Sequence, residues 1–225
     1  VHGKYKEKDE QCQAYMPYLK DDIDYIWNLD SDEVFKGEDI KKIAEILHEE
    51  KYTSVGVRSC SFYGGFDHYI GGFELNRDNF LRIFKVYPGA TWLTHRPPTI
   101  KPQEGTPVLP PKHLDSDTLW NNYGIQMYHY SYVFPSQVKN KLEYYKAKVS
   151  RNNCHPNYFN EIYLPWITGN KEVEKAWNGV HEFLPQIRGH SYTEPFPGTH
   201  PDSIRDNMIN LELRISNELQ EYLEK

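Results

Sequence analysis

The sequence is poor in cysteine. Its three cysteines, Cys12, Cys60 and Cys154, lie far apart, and no two form a CxxC pair. Zinc sites and disulfide frameworks need closely spaced or numerous cysteines, so the sequence predicts neither. Because free thiols persist in reducing compartments, we expect a cytoplasmic location.

Long apolar runs and basic clusters are also missing. No segment approaches the roughly 18 consecutive apolar residues of a membrane-spanning helix, and the first residues show no pattern of a secretory signal. The formal net charge is −6. An acidic chain without a basic cluster is a poor ligand for nucleic acid or for an anionic membrane surface. We therefore expect no transmembrane segment and no nucleic-acid partner.

Three common catalytic motifs are absent from the chain. There is no Gly-x-x-x-x-Gly-Lys-Ser/Thr loop and no Gly-x-Gly-x-x-Gly turn. These absences argue against a P-loop enzyme and a Rossmann dehydrogenase. The chain also has no Gly-x-Ser-x-Gly elbow, which argues against an α/β-hydrolase.

The most informative stretch that is present is residues 25–35, YIWNLDSDEVF. An apolar run at residues 23–29 predicts a buried strand. Three carboxylates, Asp30, Asp32 and Glu33, follow it directly. Open α/β sheets bind their ligands at the carboxyl ends of strands, so the carboxylates are candidates for a binding site.

Two aspartates separated by one residue suit a hard divalent cation. Such cations prefer oxygen ligands and leave coordination positions open for substrate phosphates. The alternative is a solvated loop, since Asp-x-Asp is common by chance. The predicted strand before the pair favours the metal site.

Hydrophobic periodicity along the rest of the chain predicts an α/β fold. Strands are predicted at residues 23–29, 54–62, 80–87 and 125–133. Helices are predicted within residues 4–22, from Gly37 to Leu47, from Val138 to Val149, and from a cap at Asp202 or Ser203 to Tyr222. Gly64-Gly65 and Gly71-Gly72 predict a loop close to a ligand at residues 66–70. We expect a stiff extended crossing at residues 97–112 and irregular structure at 153–200.

The segment Trp27-Asn28-Leu29-Asp30-Ser31-Asp32-Glu33 resembles the strand-end DxD signature of GT-A glycosyltransferases. It is most similar to the family 2-like group, whose core is Asp-Ser/Ala-Asp-Glu. Further segments fit the same group in the same order: the helix with Lys8 and Gln11, the Gly-Gly turn, Arg82-Ile83-Phe84-Lys85 before Pro88-Gly89, and Met127-Tyr128-His129-Tyr130.

The resemblance covers roughly residues 1–150. It implies a partial GT-A-like mixed sheet flanked by helices, followed by an irregular and helical extension at residues 151–225. Enzymes of this group carry an earlier βαβ portion that grips the donor nucleotide. The chain starts at Val1, almost at the DxD strand, so we expect that portion in a missing N-terminal half or in a second subunit.

By this resemblance, Asp30 and Asp32 hold Mn²⁺ or Mg²⁺, which binds the diphosphate of a UDP- or GDP-linked sugar. Asp32 is the better candidate for direct ligation, with Asp30 reaching the ribose or a metal-bound water. His129 matches a histidine that often completes the metal site, and a histidine satisfied within its strand is the alternative. His95 is a rival for that role.

The resemblance implies further roles. Arg96 is a candidate for pairing with phosphate oxygens, although a surface ion pair is the commoner fate of an arginine. Asp67 and Glu74 are the candidates for the general base near the acceptor hydroxyl, and each has a solvated loop position as its alternative. Glu33 is expected to support the metal-binding loop. Aromatic candidates for stacking on a sugar are Phe66, Tyr69, Trp92 and Trp120.

The expected function is therefore metal-dependent transfer of a sugar from a nucleotide sugar to a hydroxyl acceptor, such as a glycan. The first alternative is a non-catalytic carbohydrate- or protein-binding module on a transferase-like fold. The second is a metallohydrolase built on Asp30, Asp32, His95, His129 and other histidines. The sequence lacks the His-x-His or His-Glu-x-x-His spacing that would favour it.

Overall fold

A computed structural model describes residues 5, 7–20, 22–72, 79–95, 98–148 and 153–224. Helices and strands are mixed in this part of the chain, which confirms the predicted α/β class at the coarse level. The strands are β1 (Tyr25–Trp27), β2 (Glu33–Val34), β3 (Ser54–Val57), β4 (Ser59–Tyr63), β5 (His68–Gly72), β6 (Phe80–Lys85), β7 (Thr91–His95), β8 (Pro98–Lys101), β9 (His113–Leu114), β10 (Met127–Tyr132) and β11 (Ser191–Pro195).

The α-helices are α1 (Lys8–Tyr15), α2 (Gly37–Glu50), α3 (Ser116–Tyr123), α4 (Pro135–Lys148), α5 (Leu164–Ile167), α6 (Val173–Trp177), α7 (Pro185–Arg188), α8 (Asp202–Arg205) and α9 (Met208–Leu223). A 3₁₀ turn covers Met16–Tyr18, and a π-helical turn covers Phe159–Tyr163. No helix within the described ranges has the length and apolar character needed to cross a membrane.

Contacts divide the chain into two compact units that interleave along the sequence. Unit 1 comprises residues 1–30, 41–58 and 79–125, and unit 2 comprises residues 31–40, 59–78 and 126–225. The predicted boundary between residues 150 and 151 stays a prediction.

Unit 1 is built on a four-stranded sheet with the order β1-β6-β3-β9. β6 pairs antiparallel with β1 and β3, whereas β3 and β9 are parallel. Helix α1 packs beside the β7–β8 hairpin, where Gln13 Oε1 accepts a hydrogen bond from the Trp92 amide at 2.6 Å. Buried residues of this core are Cys12, Met16, Ile26, Phe84, Val86, Ala90 and Trp92.

Unit 2 is built on a five-stranded sheet with the order β11-β5-β4-β10-β2. The central strand β4 is parallel to β10, and the other neighbouring strands in this sheet pair antiparallel. One buried cluster contains Cys60, Phe62, Phe66, Tyr128, Tyr130, Val133 and Ile215, the last from α9. A second contains Tyr63, Ile70, Tyr132, Val138, Leu142, Tyr158, Phe159, Ile162, Tyr163, Trp166, Val173 and Val180.

Elements with a clear hydrophobic period are confirmed. The predicted helix after Gly37 is α2, the strands predicted at residues 80–87 and 125–133 are β6 and β10, and the helix containing Val138 is α4. The N-terminal helix is confirmed only over residues 8–18, and Val149 lies outside the described residues.

The prediction of a buried strand at residues 23–29 is wrong in extent. β1 covers three residues, and Ile23 and Leu29 are 40% and 42% exposed. β1 stands at one end of its sheet and pairs antiparallel with β6. An edge strand buries fewer side chains than an internal strand. The apolar run at residues 23–29 therefore led to a prediction of more burial than the structure shows.

Other predicted segments are corrected by their pairing. The strand predicted at residues 54–62 is two strands, β3 and β4, which belong to different sheets. The loop predicted at residues 66–70 becomes strand from His68 onward, because β5 pairs with β4 and β11. The segment predicted as irregular, residues 153–200, contributes β11 and several short helices.

The C-terminal helix is confirmed, but its predicted start is wrong. Asp202 and Ser203 lie inside the short helix α8, and α9 begins separately at Met208.

Candidate functional site

The sheet of unit 2 places Asp32 beside the centre of β10. Strand β2 pairs with β10 so that Glu33 lies opposite His129. The Tyr130 amide donates a hydrogen bond to the Asp32 carbonyl at 2.8 Å, which continues the ladder by one residue. Asp32 therefore lies beside the middle of β10, which runs parallel to β4.

The side chains of Asp32 and His129 face each other. Asp32 Oδ2 and His129 Nε2 are 3.7 Å apart, and the two side chains are 24% and 18% exposed. Both groups are therefore largely shielded from solvent but still partly accessible to it. The structure thus brings together two of the three residues that the sequence predicts as metal ligands.

Two buried serine hydroxyl groups lie on the Nδ1 side of the His129 ring. The Ser61 hydroxyl is 3.4 Å from His129 Nδ1 and 3.0 Å from the Ser59 hydroxyl, and both serines are 1% exposed. When Nδ1 donates its proton to Ser61, the lone pair of Nε2 faces Asp32. That tautomer is the one that binds a metal ion.

Gln137 holds the carboxylate of Asp32 from the first turn of α4. Its Nε2 donates a hydrogen bond to Asp32 Oδ2 at 2.8 Å. Its Oε1 is buried and has no hydrogen-bond partner among the described residues. The start of α4 is itself held by α9, because Glu218 Oε2 accepts the Ser136 amide at 2.8 Å.

These residues fit a divalent cation. A carboxylate oxygen and an imidazole nitrogen 3.7 Å apart can bind one ion together. Sites for phosphate-bound ions often use one or two protein ligands and leave the rest to water and substrate. Within the described ranges, no three His, Cys, Asp or Glu side chains cluster closely enough to form a metal site by themselves. The buried Gln137 oxygen is an additional acceptor at this place.

Asp30 has different partners from Asp32. It belongs to unit 1, where Lys8 Nζ of α1 contacts its Oδ1. The side chains of Lys8 and Asp30 are 34% and 44% exposed. Metal binding by Asp30 stays a prediction, and the site described for unit 2 does not depend on it.

Asp67, a candidate general base, pairs with its neighbour in the chain. Asp67 Oδ1 lies 3.0 Å from His68 Nδ1, and the Asp67 side chain is 81% exposed. Partial burial raises the pKa of Asp67, but the neighbouring His68 and Lys171 outweigh it and lower the pKa overall. A carboxylate with a lowered pKa is a weaker base.

The other predicted site residues are distributed as follows. Glu74 and Arg96 lie outside the described residues. His95 is held by Asp9, whose Oδ1 is 2.6 Å from both the backbone amide and Nδ1 of His95. Glu33 is 6% exposed and lies opposite His129 in the sheet. Its support of the metal-binding loop stays a prediction.

Two of the aromatic candidates cannot stack on a sugar. Phe66 and Trp92 are 7% and 4% exposed, and each packs in the core of its own unit. Their stacking role is therefore corrected to a packing role. Tyr69 donates its hydroxyl to Glu194, and Trp120 lies under the Arg58 guanidinium at 5.8 Å. The stacking role of these two stays a prediction.

Comparison with known protein families finds no family model that matches this chain, and none of the curated proteins matches it either.

Sequence reasoning missed Gln137 and Ser61. Gln137 follows the strand that carries His129 by a few residues, which places it in the first turn of the next helix. That position is a signal, because side chains at the start of a helix after a parallel strand point toward the ligand-binding edge. Ser61 gives no comparable signal, since alternation in a strand does not reveal which polar residue lies opposite a histidine.

Proposed function

We propose that this chain carries the part of a GT-A-like, family 2-like glycosyltransferase that binds the metal ion and, through it, the diphosphate of the donor. The reaction moves a sugar from a nucleotide sugar to a hydroxyl acceptor such as a glycan. The cofactor is Mn²⁺ or Mg²⁺, and the proposed location is the cytoplasm, where the free thiols of Cys12, Cys60 and Cys154 remain reduced.

The observation that carries the proposal is the pair of Asp32 and His129. Their ligand atoms lie 3.7 Å apart on neighbouring strands of unit 2. Asp32 stands in the Asp-Ser-Asp-Glu segment, and His129 in the Met-Tyr-His-Tyr segment, that resemble this group of enzymes. Two segments far apart in the chain thus contribute to one place.

In the proposed reaction, Asp32 and His129 bind the cation, and Gln137 and Ser61 hold those two side chains in position. When bound, the cation supplies positive charge to the diphosphate and stabilises the leaving nucleoside diphosphate. Glu33, buried opposite His129 in the sheet, supports the loop that carries Asp32.

The test is calorimetric titration of UDP, GDP and their sugar derivatives, with and without Mn²⁺. We expect metal-dependent binding that is lost in Asp32→Ala, because that change removes the anionic ligand. Asp202→Ala is the matched control, since Asp202 lies on the short helix α8 of the same unit and pairs only with nearby Arg205 among the described residues.

Metal-dependent binding that survives in Asp32→Ala contradicts the proposed site. Sugar binding that is indifferent to nucleotide and to Mn²⁺ supports the binding-module alternative instead. Turnover is then followed by release of nucleoside diphosphate from the donor that binds best.

A further inference from the structure

Only one of the two polar atoms in the Gln137 side-chain amide has a hydrogen-bond partner among the described residues. Nε2 donates to Asp32 Oδ2 at 2.8 Å, whereas Oε1 is buried without a hydrogen-bond partner among the described residues. A buried acceptor without a donor is unfavourable, because it has lost its water and gained nothing in return. Such an atom calls for an explanation, and a ligand that fills the site is one.

The position of Gln137 favours a bound ligand, rather than imperfect packing, as the explanation for its unpartnered oxygen. Gln137 is within hydrogen-bond distance of the carboxylate that faces His129 Nε2. Its helix begins directly after β10 and is fixed at its first turn by the Glu218–Ser136 contact. The amide is therefore held against the Asp32–His129 pair by the fold.

The two ends of an amide have nearly the same shape and opposite polarity. With no cation present, the N–H end stabilises the negative charge of Asp32. When a cation binds beside Asp32, the Oε1 end, which has no hydrogen-bond partner among the described residues, is the end of the amide that can bind it. Amide oxygens are good ligands for hard divalent cations.

Resting on the proposed function, we infer that Gln137 is a third protein ligand of the Asp32–His129 cation site, binding through its amide oxygen. The site then offers one carboxylate oxygen, one amide oxygen and one imidazole nitrogen. The imidazole favours transition metals, whereas the two oxygens suit hard cations. This mixed set prefers Mn²⁺ over Mg²⁺ and Ca²⁺.

The test measures Mn²⁺ binding to the full chain by electron paramagnetic resonance, which detects the free ion and needs no substrate. We expect Gln137→Ala to weaken Mn²⁺ binding by about 10- to 100-fold, the range found when residues around a metal site are removed. Gln137→Glu keeps an oxygen ligand and adds a charge, so it should bind Mn²⁺ at least as tightly as the unchanged chain.

Thermal unfolding provides a second measurement. Without metal, Gln137→Glu places two carboxylates side by side and should lower the melting temperature, and Mn²⁺ should restore it by binding the folded state. Gln220→Glu is the control for added charge, because Gln220 is exposed on α9. It should change neither Mn²⁺ affinity nor the response to metal.

The outcomes separate this inference from the proposed function. Mn²⁺ affinity that is equal in Gln137→Ala and the unchanged chain, or no Mn²⁺ binding by the folded chain, overturns the role of Gln137. Mn²⁺ binding that depends on Gln137, without any binding of nucleotides or their sugars, supports the ligand role and contradicts the glycosyltransferase. A preference for Mg²⁺ or Ca²⁺ in competition with Mn²⁺ contradicts the mixed ligand set.

Discussion

Asp30 and Asp32 are separated by one residue, yet their side chains have different partners. Asp30 contacts Lys8 in unit 1, whereas Asp32 contacts Gln137 and faces His129 in unit 2. Alternate residues share a side only while a strand stays regular. Here β1 has ended at Trp27 and a turn covers residues 31 and 32, so the motif does not imply a shared ion.

Gly64 is a residue at which a side chain does not fit. Its φ is +66°, and an added Cβ would lie 2.3 Å from Cζ3 of Trp166. We expect Gly64→Ala to lower the free energy of unfolding by about 2–4 kcal/mol, combining left-handed backbone strain with overpacking against a buried ring. Urea denaturation measures the loss.

Gly124→Ala separates the two contributions. Gly124 has nearly the same φ, +67°, with nothing within 4 Å of an added Cβ. The Gly124→Ala variant should lose only about 1–2 kcal/mol of unfolding free energy, which is the cost of holding an alanine in the left-handed backbone conformation. Equal losses in the two variants contradict a steric role for Trp166.

Helix α9 illustrates how burial depends on the face of an element. Ile215 is 8% exposed and packs in the core of unit 2, whereas Ile209 on the same helix is 82% exposed. We expect Ile215→Ala to cost about 2–5 kcal/mol of stability through lost contacts and a residual cavity. Ile209→Ala should change stability by less than about 0.5 kcal/mol.

Both variants remove the same atoms from the same helix, so helix propensity contributes equally to each. Chemical denaturation of the two gives the difference directly. Losses of similar size rule out docking of this face of α9 on the sheet of unit 2.

At the scale of elements, the sequence predicts α2, β6 and β10 because their periodicity is local. The break between β3 and β4 is not local, since alternation continues through Arg58 and only the pairing shows that the halves join different sheets. β5 ends in Gly71-Gly72, and β11 ends in Pro195, which are residues typical of loops. The segments β5 and β11 nevertheless form strands because they pair with each other.

The same distinction applies to the candidate site. The carboxylate at Asp32 and the histidine at 129 were predicted from motifs, whereas their separation and the contact with Gln137 follow from strand register and helix placement. A sequence shows which groups are present in a segment. It does not show which groups from distant segments meet, because pairing is decided by the whole chain.

At the scale of the whole molecule, one charge buried in unit 2 influences stability as the pH changes. Glu182 has no exposed surface, and its Oε2 lies 2.5 Å from the Tyr132 hydroxyl and 3.1 Å from His181 Nδ1. Lys141 Nζ lies 3.6 Å from Oε1. Burial alone raises the pKa of Glu182, but His181, Lys141 and Tyr132 outweigh it, and the pKa is held below its ordinary value of 4.5.

The ionised form of Glu182 therefore stabilises the fold above pH 4.5. This contribution is lost as the pH falls through the lowered pKa of the folded state. We expect Glu182→Gln to cost about 3 kcal/mol near neutral pH, because it leaves its partners without a counter-charge. The decline of stability below pH 4.5 should become shallower in the variant.

Urea denaturation at several pH values measures both effects. Glu50→Gln is the control, since Glu50 forms an exposed pair with Lys112 at 2.9 Å. Exposed pairs contribute little, so its profile should follow that of the unchanged chain. An unchanged acid profile in Glu182→Gln contradicts an ionised Glu182 in the folded state.

The contact between Glu218 and the Ser136 amide has a practical consequence for anyone who shortens or tags the protein. Removing residues 218–225 deletes a carboxylate that neutralises the positive end of α4, the helix on which Gln137 is mounted. A version trimmed there would be altered 82 residues upstream, at the place where metal binding is to be assayed. Affinity tags for these experiments therefore belong at the amino-terminal end.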